Sequence, residues 1–76
     1  MELLIYSMKK EPNYIIIEDD NETIISVMIK LKHLTGIDIN KIRLLHDGIY
    51  LNPNNKISDY NINYKNNVIY VTKILF

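Results

Sequence analysis

Hydrophobic residues fall along this chain in two rhythms. Over residues 1–7 they belong to a short β-prone stretch in which Leu3 and Ile5 face one way and Leu4 and Tyr6 the other, which predicts a strand. Tyr14-Ile15-Ile16-Ile17 predicts a second strand, and the polar, proline-bearing Lys9-Lys10-Glu11-Pro12-Asn13 between the two is a turn. The opening third therefore reads as a β-hairpin. Two registers are open for its second strand, with either Tyr14 and Ile16 or Ile15 and Ile17 inward. The second is favoured, because the first aims Glu18 at the core, where an unpaired charge is costly. From Thr23 the rhythm lengthens. Ile24, Val27, Leu31 and Leu34 recur at helical spacing and predict the core-facing stripe of a helix over 23–35. Thr23 suits the N-cap, the run Glu18-Asp19-Asp20-Asn21-Glu22 sits where the helix dipole favours negative charge, and Gly36 supplies the left-handed residue that ends a helix.

The rhythm then shortens again. Residues 41–46 predict a third strand, Asp47-Gly48 a tight turn that needs positive φ, and Ile49-Tyr50-Leu51 a brief fourth strand. Asn52-Pro53-Asn54-Asn55 is loop. Ser58-Asp59-Tyr60-Asn61-Ile62 predicts a helical turn capped by Ser58, and residues 68–72 a fifth strand. The order is β-β-α-β-β-short helical turn-β, an α+β class in which one mixed five-stranded sheet packs on one helix. No linker or internal repeat divides it, so residues 1–76 are expected to form a single domain.

Composition narrows the function. Nine basic residues balance nine acidic ones with no cationic cluster, which argues against nucleic acid as a partner. The absence of cysteine excludes disulfides, thiolate nucleophiles and cysteine metal sites. No apolar run approaches a membrane span of about 20 residues, and the first residues lack the charged flank of a signal peptide. A soluble monomer of the cytoplasm or nucleus, without cofactor or membrane contact, is the expectation. His33 and His46 fall on different elements with no partner ligand and read as ordinary surface histidines. The acidic run lacks the glycine and spacing of a calcium loop. Serines 7, 26 and 58 have no histidine at readable spacing, so no catalytic residue is assigned and an enzyme is not expected.

Specific residues carry a resemblance. Thr23-Ile24 open the helix and Gly36-Ile37 close it; Arg43-Leu44-Leu45 is followed by Gly48 and Leu51; Ser58-Asp59-Tyr60-Asn61-Ile62 completes the set. In this order and at this length the chain resembles the ubiquitin family from end to end, without a gap after Thr23 and with one extra residue before it. The resemblance implies the ubiquitin-like β-grasp fold. It buries Leu44, Leu51, Ile57, Ile62, Val68 and Tyr70 between sheet and helix, and it gives the Tyr60 hydroxyl the task of tying down a nearby loop.

The resemblance also speaks to function. Conjugation in the family needs a C-terminal Gly-Gly on a flexible arm. Here the matching tail is Lys73-Ile74-Leu75-Phe76, with Phe76 at the first glycine and the chain ending one short of the second, so conjugation and sulfur-carrier roles are not expected. The family's docking surface is an exposed aliphatic patch, whose positions here are Leu45, Ile69 and Val71, with Met8 near the loop leucine and Arg43 and Lys73 flanking. Strand alternation places Leu45 opposite in facing to core Leu44, and Ile69 and Val71 opposite to Val68 and Tyr70. A solvent-side aliphatic cluster marks an interaction surface, whereas the bland reading is isoleucine scattered by an AT-rich genome. The expectation is a non-conjugated module that docks receptors of ubiquitin-like folds, of the proteasomal or unfoldase adaptor type. The alternatives are a conjugated modifier and a structural domain of a longer chain. Ile49 and Tyr64 replace chain-linking lysines, while Lys30 matches another family lysine and reads as solvated. Ile25 and Ile29, four apart on a face away from the stripe, are either a second contact face or a product of composition.

Overall fold

The computed structural model describes residues 1–6 and 13–73, the last two by backbone alone. Five strands, Glu2–Tyr6 (β1), Asn13–Ile16 (β2), Ile42–His46 (β3), Ile49–Tyr50 (β4) and Val68–Lys73 (β5), form one sheet in the order β2-β1-β5-β3-β4. Neighbours run antiparallel except β1 and β5, which are parallel at the centre. One face carries the helix α1, Ile24–Thr35, and among the described residues no element covers the other, the open face. Short 3-10 turns at Ile39–Lys41 and Ile57–Asp59 complete the described chain, the first of them not foreshadowed by the hydrophobic pattern. The mixed sheet on a single helix is the β-grasp arrangement that the resemblance implies.

The core lies between sheet and helix. Leu3, Ile5, Ile15, Ile17, Ile42, Leu44, Ile69 and Val71 from the sheet meet Ile24, Val27, Met28 and Leu31 from α1, and Leu51, Ile57 and Ile62 close the open end. Ile15 and Ile17 face inward, as the favoured register requires. The helical stripe ends one turn early. Met28 takes a core position, while Leu34 is 57% exposed beside the β2 edge.

The ends of α1 are fixed as its sequence suggests. Thr23 Oγ1 accepts from Ser26 N at 3.3 Å, and Gly36, at φ +73°, donates to the Lys32 carbonyl at 2.8 Å. Two more N-terminal amides find partners outside the helix: Ile24 N donates to Asn55 O and Ile25 N to Pro53 O. The loop that supplies those carbonyls is held by Tyr60, whose hydroxyl accepts from Asn52 N at 2.7 Å and Asn55 Nδ2 at 3.1 Å. Tyr60 thus acts on the helix through the loop. Tyr60→Phe should lower stability by about 1 kcal/mol, read as an earlier urea midpoint at unchanged slope. An unchanged midpoint would show that water replaces the hydroxyl without loss.

The turn before Tyr60 is capped differently from expectation. Ser58 lies exposed inside it, and Asp59 reaches back so that Oδ2 accepts from Lys56 N at 2.8 Å. The Asp47-Gly48 turn matches its prediction, with φ of +52° and +78°. His46 departs from it. On β3 it shares a face with Ile42 and Leu44, so it is buried, and its Nε2 lies 2.9 Å from the Asn66 carbonyl.

Candidate functional site

The facing of β5 decides the site. Ile69 is fully buried and Val71 is 8% exposed, whereas Tyr70 is 53% exposed and Val68 is half-buried. Ile69 and Val71, expected on the outer face, are core residues; Val68 and Tyr70, expected in the core, point out. Because side chains alternate with period 2, a slip of one residue reverses every facing on a strand. The slip lies between Ile62 and β5. A tight turn there pairs Asn63 with Asn66, Leu4 N donates to Asn67 O, and Asn67 Nδ2 donates to Glu2 O. These bonds set β5 against β1 with Ile5 beside Ile69 and Tyr6 beside Tyr70.

Corrected in this way, the open face carries a continuous row. Tyr6 pairs with Tyr70, Tyr70 with Leu45, and Leu45 with Tyr50, so one line of side chains crosses β1, β5, β3 and β4. Three strand spacings make it about 14 Å long. The Tyr6 and Tyr70 rings stack with centroids 5.8 Å apart and planes 28° apart. At the far end the Arg43 guanidinium stands 5.9 Å from the centre of the Tyr50 ring, a cation–π distance. A second row, Tyr14, Leu4 and Val68, runs beside the first across β2, β1 and β5. Tyr6, Tyr14, Tyr50 and Tyr70 are exposed, while Leu4, Leu45 and Val68 are half-buried among them.

Of the six residues expected at the docking surface, the structure brings Leu45 and Arg43 together on this face. Ile69 and Val71 lie beneath it. Lys73 is on β5 opposite Ile42, known by its backbone position alone, and Met8 lies outside the described residues, as do the tail residues Ile74, Leu75 and Phe76. The tyrosines escaped sequence reasoning, yet the β3 facing and the tyrosines at positions 6, 50 and 70 held the signal. Aromatic residues at half-buried, solvent-side positions combine a large apolar area with a polar tip, which suits protein interfaces.

The sequence model of the ubiquitin family matches residues 7–74. The chain belongs to the ubiquitin family. No curated protein matches it significantly. The ubiquitin-like fold generally lacks catalytic activity and serves contact between proteins, and this chain is accordingly not an enzyme.

Other expected features are distributed over the surface. Ile25 and Ile29 are exposed on α1; Ile25 borders a shallow groove with Met28, Ile39, Ile42, Tyr50 and Leu51. Lys30 is not simply solvated, since its Nζ contacts both Glu22 carboxylate oxygens at 2.9 and 3.0 Å. Such a partly exposed pair contributes about 1 kcal/mol at most. His33 is exposed, and among the described residues no group of three or more His, Cys, Asp or Glu could hold a metal ion.

Proposed function

We propose that this protein is a non-conjugated ubiquitin-like interaction module that docks receptors of ubiquitin-like folds through the open face of its sheet. The observation that carries the reading is the row Tyr6–Tyr70–Leu45–Tyr50, stretched over four strands and ending at Arg43. A rigid sheet presents these side chains with little conformational freedom left to lose, and tyrosine and arginine are the residues that most often dominate binding energy. An amphipathic helix laid across the row would place an apolar stripe on Tyr70 and Leu45 and an acidic group near Arg43. The non-conjugated part of the proposal rests on the sequence, since the resemblance places Phe76, with its bulky ring, at the first of the two glycines that conjugation needs. Receptors of the proteasomal or unfoldase adaptor type match this chemistry.

The test is a titration of isotope-labelled protein with a ubiquitin-binding helix, followed by amide chemical shifts. The expected result is a set of shifts centred on Leu45, Tyr50 and Tyr70. Shifts confined to α1, or none at millimolar helix, would sink the proposal.

A further inference from the structure

The two edges of the sheet are unequal. β4 is two residues long, and shortness is one of the ways an edge avoids pairing with another chain. β2 is a four-residue strand with none of the usual guards: Asn13-Tyr14-Ile15-Ile16 contains no lysine and no proline, and its register with β1 is unbroken by a bulge. The direction of its free groups follows from the hairpin. Met1 and Ile17 exchange both hydrogen bonds, Met1 N to Ile17 O at 2.7 Å and Ile17 N to Met1 O at 2.6 Å. Bonded pairs alternate along an antiparallel ladder, so Ile15 and Asn13 also turn their amides and carbonyls to β1. Tyr14 and Ile16 therefore turn theirs outward, to the open edge.

We propose that β2 is a self-pairing edge, at which two copies of this chain join antiparallel with Tyr14 of each opposite Ile16 of the other. A strand with two outward residues separated by one is complementary to itself in this register. The two-fold axis passes between the Ile15 residues, and each Tyr14–Ile16 pair exchanges two hydrogen bonds. The side chains agree with the backbone. Tyr14 is 57% and Ile16 64% exposed on the open face, so each aromatic ring would lie beside an aliphatic partner, a favourable cross-strand pair. A mainly apolar groove lined by Tyr14, Ile15, Ile16, Lys30, His33 and Leu34 follows the same edge. Formal net charge is zero at neutral pH, so no long-range repulsion separates two copies. The second copy is thus the occupant favoured by backbone, side chains and charge alike. The contact is smaller than the roughly 1,200 Å² of a standard interface and gives a weak, concentration-dependent dimer.

This inference uses a surface apart from the Tyr70–Leu45 row and stands independently of the docking proposal. Sedimentation equilibrium and amide spectra recorded from micromolar to millimolar protein test it. The expected result is a monomer–dimer equilibrium with concentration-dependent shifts centred on Tyr14 and Ile16. Ile16→Pro removes an outward amide and should leave only monomer, since proline is tolerated on an edge where its nitrogen faces solvent. Ile16→Lys, which guards the edge by charge and leaves the backbone intact, should do the same, and it answers the question if the proline variant does not fold. A protein monomeric at every concentration overturns the proposal. So does a dimer that survives Ile16→Lys, or one whose shifts centre on Leu45 and Tyr70.

Discussion

Ile69→Ala should lower the free energy of unfolding by about 2–5 kcal/mol, whereas Tyr70→Ala, one residue along, should change it by only about 1 kcal/mol. Ile69 is fully buried between β1, β5 and α1, so its truncation removes apolar contact and leaves a cavity in a small core. Tyr70 stands on the open face and loses its stack on Tyr6. A domain this small is marginal in stability, so the first variant should be largely unfolded in moderate urea while the second keeps nearly the parental midpoint. Paired urea melts of the two variants read the facing of β5 directly. If Tyr70→Ala were the more damaging, the strand would carry the opposite face inward and the row on the sheet would not exist.

The second large effect concerns docking. Leu45→Ala and Tyr70→Ala should each weaken binding of a ubiquitin-binding helix tenfold or more, about 1.4 kcal/mol. Leu45 and Tyr70 are direct neighbours at the middle of the row, where a docked partner excludes water most completely. Because Tyr70→Ala is expected to leave the fold nearly intact, a loss of binding there reports the surface itself. Ile29→Ala, on the helix at the other side of the molecule, serves as the control and should bind as the parent does. Calorimetry with the three variants settles the matter: equal affinities throughout would remove the sheet face from consideration.

What could be seen in the sequence depended on local chemistry. The helix was legible because Thr23, the 3.6-residue spacing and Gly36 agree, and the β3–β4 hairpin because Asp47-Gly48 admits few other conformations. Tyr60 and its loop were legible through the family resemblance. The facing of β5 was not. Val68-Ile69-Tyr70-Val71 is apolar or aromatic at every position, so period-2 alternation leaves no mark on it, and its phase is set by a turn of asparagines that carries no hydrophobic signal. The candidate site inherited that error, keeping Leu45 and Arg43 and losing Ile69 and Val71. The burial of His46 had a readable cue in its shared parity with Leu44, overridden by the general habit of histidine.

The parallel pairing of β1 with β5 also bears on how the protein is made. β1 is completed on one side only by residues from Val68 onward, which are synthesised long after it. The first hairpin and α1 therefore emerge as a half-built layer, with Ile5 and Leu31 awaiting Ile69, and cannot settle while the chain is still tethered at shorter lengths. Closing so wide a loop is intrinsically slow compared with local helix formation. A nascent chain stalled before Val68 should thus behave as a client for holding chaperones, and one extended past β5 should release itself from them.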